Sequence, residues 1–404
     1  MKTDYLAGIK VVDFTTFAAA PGAGRLMGDW GADVIKVESL GGDPMRWFGK
    51  NMGLPTTDEE NPIWEFENGN KKSVTINLKD PDGMAIMMKL LEDADIFITN
   101  VRLGSLKKMG LDYESLAPKF PKLVVGHISG YGIYGEEAPR PGYDVVSFWA
   151  RGGSYVDFSP IGQPPMTSPY GIGDHTTSLV LLGGVLAALN RAQKTGKGEK
   201  VEVSLMSAAI WVNSLMIMST QYGDQWPKDR YVPSSALTSA YCTKDGVWVV
   251  LTITEYERYW AKLCRAIEIP EEVMNDPRFA NVTMSKIPEN SRVLVKLLED
   301  AFAKKDFAYW APRLAAEDIA YEKGGHYADI ATDKQAIENH YVEKFTSRNG
   351  NSFMLPMSPV QFKENAAPDN RPAPMLGEHN EEVLKALGYT EAQIAELRAK
   401  KAIG

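Results

Sequence analysis

The fold class follows from residues 11–38, VVDFTTFAAAPGAGRLMGDWGADVIKVE. Two short runs rich in β-branched residues, Ile9–Phe14 and Asp33–Val37, flank a helical pattern at Gly22–Trp30 that begins after Pro21. Because proline is favoured in the first turn of a helix, the order predicted here is strand, helix, strand. A unit of this kind places its two strands parallel in one sheet.

The rest of the first half continues this alternation of strand and helix patterns. The further strands are predicted at Ser73–Leu78, Asp95–Thr99 and Leu123–Ile128, and the further helices at Asp80–Asp93, Gly173–Thr195 and Ser204–Tyr222. The segment Thr195–Leu205 has the pattern of a turn, a strand and the start of a helix. The alternation predicts an α/β fold with right-handed βαβ crossovers and a largely parallel sheet.

The length of 404 residues is sufficient for two domains. Residues 241–253 have a hairpin pattern that turns at residues 244–246, and helical patterns dominate residues 255–320. These patterns indicate a second, smaller α+β domain inside the chain. The predicted division is a large domain at 1–224, a small domain at 225–325, and a C-terminal part at 326–404 that returns to the large domain and ends in a helix at Asn380–Leu387.

The composition is that of an ordinary globular protein, with 44% hydrophobic and 24% charged residues. The formal net charge of −8 disfavours nucleic acid as a partner, because phosphate contacts require a basic face. The N-terminal residues have no apolar signal region, and the longest apolar run, Leu179–Leu189, is shorter than the ~20 residues that cross a bilayer. We therefore expect a cytoplasmic protein without a membrane or nucleic-acid partner.

Cysteine and histidine usage bounds the chemistry of the site. The two cysteines, Cys242 and Cys264, fit a reducing compartment and exclude a disulfide framework. The five histidines show no HxxxH or HxH spacing. We therefore predict no metal site.

The glycines Gly22, Gly24 and Gly28 lie where a dinucleotide-binding enzyme carries its phosphate-binding glycines, and Glu38 ends the next strand. The spacing here is GxGxxxG, and the turn from Phe14 to Ala20 is too long for that motif. One alternative is that the small residues let the helix pack closely on the sheet. Another is that the helix N-terminus holds an anionic group of a different ligand.

The stretch 11–38 resembles the opening of the family III CoA-transferases. Six further stretches resemble the same family in the same order: Glu67–Lys79, Ala94–Arg102, Leu123–Gly132, Gly171–Leu189, Thr195–Leu205 and Pro372–Tyr389. Three segments, residues 66–74, 142–153 and 171–175, look most like the subgroup acting on 2-hydroxy acids and enoyl-CoA products. The resemblance implies an interlocked homodimer in which each chain has a large Rossmann-like domain and a small domain.

The activity implied by the resemblance is transfer of CoA from an acyl-CoA to a free carboxylic acid. The subgroup implies a 2-enoyl- or aryl-enoyl-CoA donor and an (R)-2-hydroxy acid acceptor such as phenyllactate or 2-hydroxyisocaproate. CoA is then a substrate, and no permanently bound cofactor is expected. Phe148 and Trp149 offer apolar area for a medium-sized acyl group.

The family's catalytic aspartate corresponds to Asp174, in the segment Gly171–His175. A carboxylate there can attack the thioester carbonyl, and the backbone N–H groups of Gly171 and Gly173 could stabilise an oxyanion. The alternative is that Asp174 is only the N-cap of the helix that follows. His175 either orients the substrate or packs without a catalytic role. Asp144 either positions the acceptor acid or caps a turn.

The CoA-binding residues of the family match positions in four stretches of the chain. They are Phe17, Ala18, Ala19, Ile76, Lys79, Asn100, Val101, Arg102 and Lys108. Ser39 departs from the pattern, since formyl-CoA transferases have an arginine there for the nucleotide, and it leaves the contact to the 3′-phosphate open. Lys71, Lys72 and Lys107 join Lys79, Arg102 and Lys108 in a basic cluster, which is either a phosphate-binding surface or an ordinary solvated face.

Two other functions remain open from the sequence. An α-methylacyl-CoA racemase shares this fold but needs an acid/base pair at the α-carbon. This chain has Tyr143–Asp144 where the racemases carry His-Asp, although Glu255 could match their glutamate. A non-catalytic CoA-binding protein would keep the nucleotide turn, but the intact string at 171–174 argues against it.

Overall fold

The computed structural model describes residues 4–363 and 370–404. Two units can be distinguished by their internal packing, and each is described by itself. The first unit comprises the described residues of Met1–Ser154, Ser168–Met218 and Ala331–Gly404, and the second comprises Tyr155–Thr167 and Ser219–Ile330. The predicted division at 224 and 325 differs from these units mainly in placing residues 155–167 with the first unit.

The first unit is built on six parallel strands. They are β1 (Lys10–Phe14), β2 (Asp33–Glu38), β3 (Lys72–Thr75), β4 (Ile96–Thr99), β5 (Val124–Ser129) and β6 (Lys200–Ser204). Their order in the sheet is β3-β2-β1-β4-β5-β6, and each neighbouring pair is parallel. This is the strand order of a doubly wound Rossmann-type sheet, which confirms the predicted parallel α/β fold.

Helices connect and follow these strands. They are α1 (Pro21–Asp29), α2 (Met45–Asn51), α3 (Pro62–Asn68), α4 (Pro81–Glu92), α5 (Leu103–Met109), α6 (Tyr113–Leu116), a π-helix (Asp144–Ala150), α7 (Ser154–Asp157), α8 (Ile172–Thr195), α9 (Leu205–Val212) and α10 (Ser214–Thr220). The prediction of one helix over Ser204–Tyr222 is wrong. The helix is interrupted at Asn213, whose buried side chain donates to the Gly152 carbonyl at 3.0 Å and to the Ser154 hydroxyl at 2.7 Å.

The second unit has a small antiparallel sheet and several helices. These are β7 (Ala240–Cys242), β8 (Trp248–Leu251), α11 (Tyr256–Ala266), α12 (Glu271–Met274), a 3₁₀ turn (Pro277–Phe279), α13 (Val282–Ser285), α14 (Pro288–Phe302), α15 (Phe307–Ala316) and β9 (Tyr321–Lys323). The hairpin β7–β8 pairs Cys242 with Trp248 across the predicted turn. Aromatic side chains such as Tyr241, Trp260 and Trp310 fill the core of this unit.

The C-terminal segment of the first unit covers an edge of the parallel sheet. A 3₁₀ turn (Tyr327–Thr332) runs across the boundary at Ala331, and the elements that follow are α16 (Lys334–Glu338), the hairpin β10 (Val342–Thr346) and β11 (Ser352–Pro356), α17 (Asn380–Ala386) and α18 (Glu391–Ala399). The Asn380 side chain accepts the backbone N–H of Thr75 at 2.8 Å, and the N–H of His379 donates to the Ser73 carbonyl at 3.0 Å. These contacts supply partners to β3, which would otherwise be an open edge strand.

Helix α8 is the long apolar helix of the first unit. Among the described residues it is the one helix long and apolar enough to span a membrane by length and composition. Its buried side chains, including Leu181 and Val185, pack on β5 and β6. A Cβ at Gly126 in β5 would lie 2.8 Å from Val185, so the glycine lets the helix approach the sheet closely. These contacts are those of a core helix.

Two buried ion pairs lie beneath the turn between β1 and α1. Lys71 Nζ is 2.8 Å from Asp13 Oδ2, and Lys36 Nζ is 2.9 Å from Asp43 Oδ2. Lys71 also donates to the carbonyl of Pro21 at 2.8 Å. Lys71 is thus fully enclosed and unable to meet a ligand phosphate, in contrast to the basic surface weighed from the sequence.

We predict that Lys71→Met lowers the free energy of unfolding by about 3–5 kcal/mol, because it leaves the Asp13 carboxylate buried without its counter-charge. Chemical denaturation followed by circular dichroism measures the change. Arg191→Met is the control, since it removes an exposed ion pair to Glu199 in the same unit and is expected to cost at most about 1 kcal/mol. Equal losses in the two variants would contradict the structural role of the buried pair.

Candidate active site

The order of the sheet reverses between β1 and β4, so the loops after these two strands leave in opposite directions. Ligands of doubly wound proteins bind in the crevice that such a reversal opens at the carboxyl ends of the strands. A cavity of about 500 Å³ lies there, lined by Thr16 and Phe17 after β1, by Asn100 and Val101 after β4, and by Ser129 at the end of β5. The topology therefore places the candidate site at this position.

The turn after β1 is held by side chains from other loops. Asn100 accepts the N–H of Thr16 at 2.9 Å and donates to its carbonyl at 2.7 Å, while Asp43 accepts the N–H of Phe17 at 3.1 Å. Phe17 has a φ of +61°, a left-handed conformation that is uncommon for an aromatic residue. Such strain persists where the surroundings over-determine it, and it is found most often at functional sites.

Asp174 lies in the first turn of α8 and lines this cavity. The helix N-cap is Gly171, with a φ of +86°, so the alternative interpretation of Asp174 as the N-cap is wrong. The Asp174 carboxylate makes no hydrogen bond or ion pair with the described residues. It is therefore free to meet a ligand, in a position where the helix dipole favours negative charge.

The environment of Asp174 holds its proton more tightly than water would. Burial raises its pKa to about 7, and the nearby carboxylates of Asp144 and Glu67 act in the same direction, whereas His175 opposes them. A carboxylate with such a pKa is a stronger base and nucleophile than an ordinary aspartate. The three acids and one histidine form a compact group, which we call the acid cluster.

Asp144 and the two glycines of the 171–175 segment form one interlocking arrangement. The N–H of Gly171 donates to Asp144 Oδ2 at 2.7 Å, and a Cβ at Gly173 would lie 2.2 Å from Asp144 Oδ1 and 2.3 Å from the Phe148 ring. Residue 173 must therefore be glycine for helix α8 to start against Asp144. The expected oxyanion role does not fit Gly171, because its N–H already has a partner.

His175 contacts a carboxylate that the sequence did not single out. Its Nε2 lies 2.7 Å from Glu67 Oε1 in α3, and its ring packs edge-on against Phe66 at 5.0 Å. Burial disfavours the charged imidazole, but the hydrogen bond and the charge of Glu67 outweigh it and raise the pKa of His175. The imidazolium is thereby stabilised beside Asp174.

The positions matched to the family's CoA-binding residues separate into two groups. Those that line the cavity are Phe17, Ala19, Asn100, Val101 and Arg102. Ala18 packs in a small core with Met45 and Trp64, and Ile76 is buried and bridges to Ile403. Lys79 and Lys108 are exposed and do not line it.

Two cations that line the cavity are not among the positions matched to the family's CoA-binding residues. Lys107, rather than its neighbour Lys108, lines the cavity, because consecutive helical residues point about 100° apart. Arg140 lines it too, stacked over Tyr131 at 5.0 Å from the ring centre and paired with Glu137. The available signal for Arg140 was its place immediately before the Gly142–Gly153 segment that resembles the family.

Charge in the cavity is unevenly distributed. Arg102, Lys107 and Arg140 line it, and Asp174 is the one carboxylate among the described residues that do so. Ser39, which stands where formyl-CoA transferases have an arginine, lies outside the cavity and donates to the Gly42 carbonyl. Among residues 4–363 and 370–404, no group of three or more metal-ligating side chains is arranged to hold an ion.

The cavity has three cations and one carboxylate and lies where the strand order of the sheet reverses. Cations of this kind suit the phosphates of a ligand, and the carboxylate suits reaction with a thioester. The sequence model of CoA-transferase family III matches residues 6–380. The chain belongs to this family of enzymes. The glycines Gly22, Gly24 and Gly28 therefore belong to the sequence pattern of this family. A Cβ at Gly24 would lie 2.7 Å from Asp13, and a Cβ at Gly22 would lie 2.8 Å from Ser178. Close packing is the role of these two glycines.

Two curated relatives illustrate the similarity. The (R)-2-hydroxy-4-methylpentanoate CoA-transferase of Clostridioides difficile is 39% identical over 98% of this chain and 99% of its own. The cinnamoyl-CoA:phenyllactate CoA-transferase of Clostridium sporogenes is 36% identical over 99% of this chain and 98% of its own. Both similarities extend over the full family III CoA-transferase chain.

Solved structures agree with this assignment. A CAIB/BAIF family protein from Brucella suis has a TM-score of 0.80 at 27% identity, covering 95% of this chain and 99% of its own. A hypothetical protein from Mycobacterium tuberculosis has a TM-score of 0.78 at 28% identity, covering 93% and 98%. The fold of this CoA-transferase family member is thus shared by proteins of known structure.

We predict that Asp144→Asn lowers the pKa of Asp174. The substitution keeps an acceptor for the N–H of Gly171 and removes a negative charge that favours the protonated form of Asp174. An NMR titration of the isotope-labelled Asp174 carboxyl carbon measures the shift. Glu137→Gln, which neutralises an acid that pairs with Arg140 instead, should leave the titration unchanged. An unchanged or raised pKa in Asp144→Asn would contradict the electrostatic account of the acid cluster.

Proposed function

We propose that this enzyme transfers CoA from a 2-enoyl- or aryl-enoyl-CoA to a free (R)-2-hydroxy acid, with Asp174 as the covalent nucleophile. The observation that carries the proposal is the placement of Asp174 as the one carboxylate among the described residues lining a cavity with three cations. The cations offer partners to the phosphates of CoA, and the carboxylate offers a nucleophile to the thioester. CoA is the substrate that both groups would address.

The proposed reaction consists of four acyl or thiol transfers. The Asp174 carboxylate attacks the thioester carbonyl, and the C–S bond breaks to give a mixed anhydride and the CoA thiolate. The thiolate attacks the aspartyl carbonyl, which releases the first acid as a carboxylate and leaves an aspartyl-CoA thioester. The acceptor carboxylate then attacks that thioester and expels the thiolate, which finally attacks the acyl carbonyl and regenerates Asp174. No net proton or electron is exchanged.

The state of Asp174 suits this sequence of steps. The group must be anionic to attack, and a pKa of about 7 leaves a substantial anionic fraction near neutral pH while raising the basicity of the oxygen. The N-terminal end of α8 favours the same anion. In this proposal Asp144 holds the loop at Gly171, and Gly173 gives the close approach of α8 that brings Asp174 to the cavity.

The proposed substrate class rests on the two clostridial relatives, whose names specify 2-hydroxy-4-methylpentanoate and phenyllactate. Both acids are medium-sized and apolar and carry a 2-hydroxy group. Phe148 and Trp149, which we expected to supply apolar area for the acyl group, are buried and do not line the cavity. Tyr143 does line it, with its ring edge-on to Phe17 at 6.2 Å.

The racemase alternative has less support. Tyr143 is at the position where a second proton carrier would be required, and a phenol is a weaker base than imidazole at neutral pH. Glu255, which could match the racemase glutamate, pairs with Arg258 at the start of α11. Neither residue provides the acid/base pair that racemisation requires.

A homodimer is part of the proposal. Helices α9 and α10 carry exposed apolar side chains, and Trp211 and Leu215 are 78% and 80% exposed in the single chain. Exposed apolar area of this kind is typical of protein–protein interfaces. We propose that a second copy of the chain covers these helices. We also propose a cytoplasmic location, consistent with the free thiols of Cys242 and Cys264.

We predict that Asp174→Ala reduces CoA transfer to below about one thousandth of the wild-type rate, because the covalent route is removed. Transfer is measured by chromatography of the acyl-CoA products, and mass spectrometry of the wild type with donor alone should show a CoA adduct on Asp174. Light scattering should give the mass of two chains for wild type and variant. Full activity in the variant would refute the nucleophile, and a single-chain mass would refute the dimer.

We predict that kcat/KM is highest for 2-hydroxy-4-methylpentanoate and phenyllactate among acceptor acids at a fixed donor. Each methylene buried from water contributes ~0.8 kcal/mol, so these acids should exceed lactate strongly. Oxalate and carnitine are the comparison acids, since they need a small polar pocket and a site for a quaternary ammonium. Preference for oxalate or carnitine would reject the 2-hydroxy acid subgroup while leaving CoA transfer intact.

A further inference from the structure

The acid cluster presents an electrostatic difficulty for the reaction proposed above. Asp174, Asp144 and Glu67 are three carboxylates close enough to influence one another, and the acceptor is a fourth. Like charges at short range in a partly dehydrated site repel strongly. A cation close to Asp174 would therefore be needed for an anionic acid to approach it.

His175 is the cationic group in contact with the cluster. The group that lowers the pKa of Asp174 is His175, and the carboxylates that raise the pKa of His175 are Glu67, Asp174 and Asp144. His175 lines a small cavity together with Arg25 and Asp29 of α1, which are paired with each other at 2.6 Å, and it is not among the residues that line the main cavity with Asp174. The cations of the main cavity, in contrast, suit the phosphates of CoA.

Glu67 determines how the imidazole is presented. A carboxylate can only accept, so the contact of 2.7 Å to Glu67 Oε1 assigns a proton to His175 Nε2. Of the ring atoms, Cε1 and Nδ1 lie nearest to Gly171, with a Cβ at that glycine lying 3.3 Å from Cε1 and 3.7 Å from Nδ1. Nδ1 has no hydrogen-bond partner among the described residues. The His175 side chain is 41% exposed, so a ligand can reach it.

The placement of Glu67 is costly and calls for compensation. The side chain is almost fully buried, lies in the last turn of α3 where the helix dipole disfavours an anion, and has an Oε2 atom without a partner among the described residues. The contact of Glu67 with His175 is the interaction that compensates for this cost.

We propose that Glu67 is a positioning residue that holds His175 as an imidazolium with Nδ1–H directed at the carboxylate of the acceptor acid. The inference rests on the proposed function, because it assumes an acid that enters beside Asp174. His175 then binds the acceptor, and Glu67 acts through His175. The CoA moiety of the donor does not depend on this pair.

Glu67→Gln and His175→Gln test the proposal, each in the full-length enzyme. Both should raise the KM for the acceptor acid about tenfold or more, the loss expected for one charge-assisted hydrogen bond. The KM for the acyl-CoA donor should stay within about twofold, and the covalent CoA adduct formed with donor alone should persist. Glu343→Gln is the matched control, because it neutralises a partly buried glutamate that pairs with another histidine, His340, at 3.0 Å.

The pH dependence provides a readout that a purely structural role would not move. In the wild type the acceptor KM should rise as the pH passes above the raised pKa of His175, since the neutral imidazole lacks the charge. In Glu67→Gln the pKa of His175 falls, so this rise should begin at lower pH. The shift is expected only in the acceptor KM.

Several outcomes would overturn the inference. These are an unchanged acceptor KM in both variants, equal rises in the donor and acceptor KM, or a pH profile that does not move in Glu67→Gln. If Glu67→Gln does not fold, the acceptor KM of His175→Gln still tests the proposal, because His175 is partly exposed and its substitution should be tolerated. A wild-type enzyme that transfers CoA without a covalent adduct would reject the nucleophilic route and leave the comparison of acceptor KM values valid.

Discussion

The buried ion pairs Lys71–Asp13 and Lys36–Asp43 are the interactions on which the site depends. Each lysine, besides neutralising a carboxylate, donates to a backbone carbonyl: Lys36 to Thr15 in the turn between β1 and α1, and Lys71 to Pro21, the first residue of α1. Isolated charges at these depths would be prohibitively costly, so each charge requires its partner. The turn that carries Phe17 is fixed by the same groups that neutralise the interior.

The same turn also lines the cavity. Asp43, already paired with Lys36, also accepts the N–H of Phe17, and Asn100 holds Thr16 from the far side of the switch point. Helix α8 is brought to the same place by close approach, with Ser178 against the turn and Gly173 against Asp144. The position of Asp174 thus follows from packing as much as from its own residue type.

The charges around the two cavities differ. Arg102, Lys107 and Arg140 line the main cavity with Asp174, in a protein whose net charge is negative. His175 lines the small cavity and lies 2.7 Å from Glu67. A phosphorylated nucleotide and a carboxylic acid have different requirements, and this separation of charge matches the two parts of a CoA-transfer reaction.

The sequence by itself determined the parallel α/β fold, because alternating strand and helix patterns and the glycines of residues 11–38 report local backbone preferences. Motif resemblance also singled out Asp174, and five of the nine matched CoA positions line the cavity. It could not distinguish Lys107 from Lys108, recognise Lys71 as buried, or foresee the break at Asn213, since each depends on which neighbours surround the residue. Only the tertiary structure brought Glu67, 108 residues away in the chain, to His175. Burial and through-space charge, which set the pKa of Asp174, arise only when such distant segments meet.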